Sequence, residues 1–370
     1  MKVETSSASP LEARPLDEAG ERDDAGGPTR PLASAPRAAV RVLVGGDVDF
    51  GRSRGERLLR EPQHDDFAGL RSIFAHADLR FVNLESMMSD RFAASRRAPR
   101  PLVFTAPLDA AAVLARAPID LVSLANNHAW DFGEPALLQT LDALGRVGVA
   151  AVGAGRSLGE ARAPKVLDAS GWRVGFVAVT SAWNQELEPH PGKERIADDD
   201  REALVAAITD ARRRGAERVI VSHHGGDEYM SEPTSGQRAL ARAALAAGAD
   251  VVVGHHAHVV QRVVRIAGKP VLYGLGNLLM RMVTAHPETE LGVVARLVFD
   301  AGETQVELCP VRAHGLDVVP VAGRGASAAL AESFGRSFAR LEGRARAFAD
   351  EQALRLGEFD AVGCARLLER

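Results

Sequence analysis

Five times along this chain a short apolar run ends in residues able to bind a metal or carry a proton. Asp47 closes AVRVLVGG, Glu85 follows LRFVNL, and Asn127 and His128 come just after IDLVSLA; His223 and His224 follow RVIVS, and His255, His256 and His258 follow DVVVG. Carboxylates, an amide oxygen and imidazoles with no thiolate form a mixed oxygen and nitrogen donor set. Such a set suits Mn, Fe or Zn in a reactive centre better than a structural zinc site. His256 and His258, read as part of an extended segment, would put both imidazoles on one face, because strand side chains alternate with period two. Each residue also has an ordinary role open to it. An Asp after a strand caps turns, Asn127 suits a turn, Glu85 suits a solvated face, and a His-x-His pair is often structural. Ordinary readings would have to hold at all five strand ends together, and that joint requirement favours a metal site.

Such a site needs elements that bring distant residues to one edge. Short apolar strands are predicted at 40–44, 79–84, 119–125, 173–179, 218–222, 250–254 and 271–275, with helical stretches at 67–77, 108–117, 134–147, 200–214 and 236–247. Alternating strands and helices predict an α/β layered domain. The carboxyl ends of parallel strands share one edge of an open sheet, so ligands spread over two hundred residues can meet there. After Leu291, GVVARLVFD and TQVELCPVR read as a hairpin closing the sheet. Residues 1–38, rich in Pro, Gly, Ser and acidic residues, read as a disordered arm. The domain then spans 39–312. The Ala, Arg and Glu-rich remainder, 313–370, reads as a helical extension packed on it.

Composition excludes other classes. With 45 basic and 49 acidic residues and a net charge of −4, nothing points to nucleic acid or an anionic membrane as partner. Only two cysteines, Cys309 and Cys364, are present; they make no disulfide framework and no Cys-x-x-Cys site. The first forty residues hold no apolar run long enough for a signal peptide or membrane anchor, so a cytoplasmic location is expected. Gly153-Ala154-Gly155 lacks the spacing of a phosphate loop. The strings GRSRG and GRSLG, at Ser53 and Ser157, are weak matches to a serine-hydrolase elbow in a chain with 35 glycines.

Six runs in order, GGDVDFGR (45–52), FVNLES (81–86), LANNHAWDFG (124–133), VSHHGGDEY (221–229), VVGHHAHVVQ (252–261) and YGLGNLL (273–279), resemble the motif set of the CapA-type poly-gamma-glutamate capsule-synthesis family. That family is similar in turn to the calcineurin-like metallophosphoesterases. The resemblance implies a four-layer α-β-β-α sandwich and two divalent metal ions. It places Asp47 on one metal, Glu85 bridging both, Asn127 and His223 on the second, His256 on the second and His258 on the first. His128 matches the general acid, with Asp131 to orient it. Asp49 stands where the phosphoesterases carry a histidine, and is either a ligand or faces the sheet. His224 occupies a position usually aromatic in the family, and His255 is an imidazole beyond the expected pair; both read as substrate contacts or as groups backing the ligands, and Arg52, Glu228, Tyr229 and Asn277 as substrate contacts.

The activity this implies is dinuclear hydrolysis of a phosphoester or a gamma-glutamyl amide in a small-molecule, peptide or polyglutamate-like substrate. The alternative is a non-catalytic accessory subunit of a polyglutamate capsule complex. A third reading is a tailoring enzyme reusing the site on a cytoplasmic substrate. Oligomeric state is not legible.

Overall fold

The computed structural model describes residues 37–92, 105–184, 195–282, 286–321 and 351–369; of the expected N-terminal arm, 1–36 lies outside these. In chain order come β1 (Val40–Val48), α1 (Arg52–Arg60), α2 (Arg71–Phe74), β2 (Leu79–Leu84), β3 (Met87–Met88), β4 (Thr105–Ala106), α3 (Ala110–Arg116), β5 (Leu121–Ser123), α4 (Gly133–Arg146), β6 (Ala150–Val152), α5 (Leu158–Arg162), β7 (Lys165–Ala169), β8 (Trp172–Thr180), α6 (Arg201–Arg213), β9 (Arg218–His224) and α7 (Ser235–Ala246). There follow β10 (Val251–His255), β11 (Val263–Ile266), β12 (Lys269–Leu272), β13 (Asn277–Leu279), β14 (Leu291–Phe299), β15 (Gln305–His314), β16 (Asp317–Pro320), β17 (Glu351–Phe359) and β18 (Ala365–Glu369).

The central strands read as unbroken apolar runs because both of their faces are covered. Val42, Val44, Phe81 and Leu121 pack against Val174, Phe176, Ile220, Val251 and Val253 in a core between two sheets. The residues one step along turn the opposite way. Leu43, Val82 and Val122 lie under Leu58, Leu114, Leu137 and Leu144 of α1, α3 and α4, while Val177, Val219, Val221 and Val252 lie under Leu204, Ile208, Leu240 and Leu245 of α6 and α7. Three cores separate four layers in the order helix, sheet, sheet, helix. The helices begin where their sequences allow: Asp200 caps α6 through the Ala203 amide, and Thr234 and Gln237 form a reciprocal capping box at the start of α7.

β1, β2, β5 and β6 run parallel in one half, and β8, β9, β10 and β12 in the other. The hairpin of β14 and β15 pairs antiparallel beside β1, as its sequence suggests. The two halves are joined edge to edge by the hairpin of β17 and β18, with β17 on β11 and β18 on β15.

That seam corrects one expectation and adds a bridge. Residues 351–369 are strands, not helix; 322–350 lie outside the described residues. Ala, Arg and Glu favour helix locally, but pairing with two open sheet edges overrides a weak propensity. The turn is DAVG, where Asp360 accepts from the amides of Val362 and Cys364 and Gly363 takes a positive φ of 84°. The two cysteines do pair: Cys309 on β15 and Cys364 just before β18 form a disulfide spanning 55 residues. No spacing rule reveals a bridge made by strand pairing.

Candidate metal centre

Asp47, Glu85 and Asn127 stand at or just beyond the carboxyl ends of β1, β2 and β5; His224, His256 and His258 stand at or beyond the ends of β9 and β10. The two parallel sets meet at one rim of the sandwich. β13 joins β1 in parallel, with Asn277 in register with Asp47. The backbones there are so close that a Cβ on Gly46 would lie 1.9 Å from the Gly276 oxygen, so only glycine fits.

Two donor groups share one residue: Asp47, Glu85 and His258 form the first, and Glu85, His224 and His256 the second, with ligand atoms in each within 4.8 Å of one another. His258 Nδ1 lies 3.4 Å from Asp47 Oδ2, and its Nε2 3.8 Å from Glu85 Oε1. His224 Nε2 lies 3.7 Å from Glu85 Oε1 and 2.9 Å from Asn127 Oδ1. Asp47 and Glu85 are 0% exposed. Asp47 is tied down: Asn83 Nδ2 donates to it at 2.8 Å and the His256 amide at 3.2 Å. Glu85 is not; among the described residues neither of its oxygens meets a hydrogen-bond donor, and neither does His256 Nδ1 meet a partner. A buried carboxylate left without donors costs several kcal/mol unless a cation compensates it. The donor set, the burial and the unpartnered oxygens fit divalent-cation binding.

Electrostatics agrees. Burial pushes Glu85 well above the usual carboxylate range, and the neighbouring charge of Asp47 pushes it further. Burial would raise Asp47 too, but hydrogen bonds and charge from His255 and His258 hold it well below its ordinary value. For His258 burial acts downward and is outweighed by Glu85 and Asp47, which raise it to about 10. Burial, with the charge of His258, lowers His256 to about 4. Burial and the charge of His256 put His224 well below the imidazole range. Protons on Glu85 and His258 thus do the balancing that a cation can do.

The structure departs from the sequence reading in three places. First, His224 rather than His223 joins Glu85 and His256. Along β9 the even positions Ile220 and His224 face the other sheet, whereas Val219 and Val221, with His223, face the helices. His223 is instead bonded through Nε2 to Ser181 Oγ at 2.8 Å, and burial lowers it to about 3. Second, Asp49 turns back to accept from the Gly51 amide at 2.5 Å and lies in neither donor group. Third, His256 and His258 are not on an extended segment. β10 ends at His255, and the two histidines have φ of 88° and 56°. That left-handed backbone is costly for non-glycine residues and clusters at functional sites. It aims the rings into different donor groups.

The remaining residues take varied places. His128 Nδ1 bonds Asp131 Oδ2 at 2.7 Å. His255 is buried beside Asp47, its Nδ1 3.5 Å from Oδ1. Asn277 accepts at 3.0 Å from His258 Nδ1 and donates to the Thr289 carbonyl, so it orients a ring. Tyr229 stacks on His286 at 4.5 Å, 6.3 Å from the His258 ring; burial and Glu228 raise its phenol to about 12. Glu228 is exposed at the rim, and its charge reaches His256 and His258. Arg52, at a φ of 51°, opens α1 and its charge reaches Tyr229. Sequence reasoning missed Asn83, Asn126 and Asn184. Asn126 donates to Asn83 Oδ1 at 3.3 Å and to the Leu84 carbonyl at 2.8 Å. The adjacency of Asn126 to Asn127 was the one available signal.

Layered sheets with a rim of shared carboxylate, amide and imidazole donors define a two-sheet α/β protein with a candidate metal centre. Comparison with known proteins agrees: the model of the family "Bacterial capsule synthesis protein PGA_cap" matches residues 41–282. The chain belongs to this family. It is 28% identical over 280 residues to the PGA biosynthesis protein CapA of Bacillus subtilis, covering 75% of this chain and 72% of that one. It is 32% identical over 288 residues to a "Probable polyglutamine synthesis accessory protein" of Mycobacterium tuberculosis, covering 65% and 74%. Among solved structures, the calcineurin-like phosphoesterase YfkN from Bacillus subtilis aligns over 84% of this chain and 100% of its own at 11% identity, with a TM-score of 0.45.

Proposed function

We propose that the protein is a dinuclear metal-dependent hydrolase acting on a phosphoester or gamma-glutamyl amide bond, in a small-molecule, peptide or polyglutamate-like substrate. The observation that carries this is Glu85, buried and shared by both donor groups, with neither oxygen hydrogen-bonded among the described residues. Asp47, Glu85 and His258 would hold one cation; Glu85, His224, His256 and the Asn127 oxygen the other. Mn, Fe and Zn suit these donors. When bound, the cations supply Lewis-acid polarisation of a phosphoryl or acyl oxygen.

The protein's own groups do the rest. A carboxylate only accepts, so Asp131 puts the ring proton of His128 on Nδ1 and assigns proton exchange with a leaving group to Nε2. His128 lies near enough to lower the pKa of His256, so it acts beside the donor groups. Arg52 and Tyr229 at the rim orient an anionic substrate.

The printed name of the mycobacterial relative favours a second reading, an accessory subunit that binds polymer without turnover. Among the described residues no helix is long and apolar enough to cross a membrane. The Cys309–Cys364 bond favours an oxidising compartment over the cytoplasm.

The test is elemental analysis of purified protein beside Asp47→Ala and His256→Ala, with hydrolysis of an aryl phosphate and a gamma-glutamyl anilide on the same samples. About two equivalents are expected in the wild type, lost in the variants together with hydrolysis. Metal without hydrolysis of either probe transfers the case to the accessory reading, and no metal after reconstitution sinks the hydrolase.

A further inference from the structure

The segment after β8, residues 181–184, crosses from one sheet's ligands to the other's. At its start the Ser181 amide donates to the His224 carbonyl at 3.0 Å, and Ser181 Oγ bonds His223 Nε2 at 2.8 Å. Thr180 Oγ1 adds bonds to the carbonyls of Ala182 and His224. A Cβ on Gly225 would lie 2.0 Å from Ser181 Oγ, so the segment is seated directly on the β9 loop. At its far end Asn184 Oδ1 accepts from Asn127 Nδ2 at 3.1 Å, and Asn184 Nδ2 donates to Asp131 Oδ1 at 2.6 Å.

A side-chain amide is nearly symmetric in shape, and only its hydrogen bonds decide which end is oxygen. With Nδ2 of Asn127 engaged by an acceptor, Oδ1 is the end that faces His224 and the second donor group. Turned over, Asn127 would present an NH2 group and repel a cation. The same Asn184 amide holds the carboxylate that orients His128. We infer that Asn184 is a positioning residue that sets the polarity of the Asn127 amide toward the second metal and, through Asp131, the orientation of His128, and that His223 serves as its anchor by way of Ser181. This rests on the hydrolase reading for its His128 half and on metal binding alone for its Asn127 half.

Two variants separate the halves. Asn184→Ala loses both bonds; Asn184→Asp keeps an acceptor for Asn127 Nδ2 but sets a carboxylate against Asp131. Binding of Mn2+ and Co2+ to full-length protein is followed by competition titration and the Co2+ absorption spectrum, with kcat and KM on the aryl phosphate. Asn184→Ala is expected to weaken one of two equivalents by ~10–100-fold, the usual cost of losing an outer partner of a ligand, and to alter the Co2+ spectrum. Asn184→Asp is expected to restore that affinity while kcat stays low at unchanged KM. Asn127→Ala/Asn184→Ala should bind no more weakly than Asn127→Ala alone, because Asn184 acts through Asn127. Chelated Asn184→Ala melting with the wild type excludes a folding defect. Wild-type affinity and spectrum in Asn184→Ala overturn the inference and leave the hydrolase intact. Metal bound by the wild type without hydrolysis removes the hydrolase and leaves the Asn127 half standing. No metal bound by the wild type overturns both.

Discussion

Two clusters in this molecule combine carboxylates with imidazole, and they are chemically opposite. At the rim, Asp47 and Glu85 face histidines with no arginine among the donors. At the start of β16, Asp317 lies with Asp66 and His64, and here Arg54 and Arg57 intervene: Asp66 Oδ1 accepts from Arg54 at 3.2 Å and from Arg57 at 2.5 Å, and Asp317 from Arg57 at 2.7 Å and His64 at 3.1 Å. Guanidinium groups already balance the second cluster, whereas buried oxygens stay unmatched in the first. Proximity of acidic groups therefore does not by itself mark a candidate metal site; what sets the rim apart is a buried carboxylate with no donor among the described residues.

The contrast is tested most severely by Glu85→Gln, which keeps the shape and removes the charge. It should lose both metal equivalents in elemental analysis, a larger effect than the ~10–100-fold cost of an outer-shell change. It should leave the melting temperature of chelated protein nearly unchanged, because there a proton already neutralises Glu85. A chelated variant that melts well below the wild type would show Glu85 to be structural. Next comes Asp66→Ala. It strands Arg54, which is 4% exposed, and should cost about 3–5 kcal/mol in urea unfolding while metal per folded protein stays constant.

The protons at the rim give a third, smaller effect. His258 is raised to about 10, so in chelated protein its contribution is complete below the unfolded imidazole value near 6.5 and is lost as pH climbs toward 10. Glu85, also raised, acts in the same direction. Melting temperature should fall between pH 7 and 10 after chelation and hold steady with metal present, where a cation replaces the proton. His258→Gln should flatten the chelated curve. The smallest effect is Asp317→Asn. Burial acts to raise Asp317, but bonds to Arg57 and His64 hold it below its ordinary value, so its stabilisation exists above the unfolded value near 3.9 and disappears as pH falls through the lower folded value. A half-exposed pair of this kind is worth a few tenths of a kcal/mol, visible as a urea midpoint shift at pH 7 that vanishes once pH falls through the lowered folded value.

Most of what was legible in the sequence is local. LRFVNL is β2 residue for residue, and strand ends announced Asp47, Glu85, Asn127, His256 and His258 because an apolar run stopping at a polar group leaves a periodic mark. The helix expected over 67–77 shrank to a 3-10 turn and α2, whose single turn satisfies a short crossover. Neighbouring histidines defeated the reading at 223 and 224, since which one faces inward depends on the phase of the pleat against a sheet encoded elsewhere. Asp49 was ambiguous because an aspartate near a turn accepts a backbone amide as readily as it binds a metal. Asn184 and the Cys309–Cys364 pair were invisible: each acquires its meaning from a partner brought close only by the finished fold.

The strands β17 and β18 sew one sheet to the other, yet they are translated after every other strand of both. A ribosome releasing this chain exposes two ligand-bearing half-sites well before the strands that lock them edge to edge emerge. Long-range pairing of this kind is slow and leaves sheet edges open to other chains in the interval. The bond between Cys309 and Cys364 then acts as a record of synthesis, marking molecules in which the last strands have reached their place.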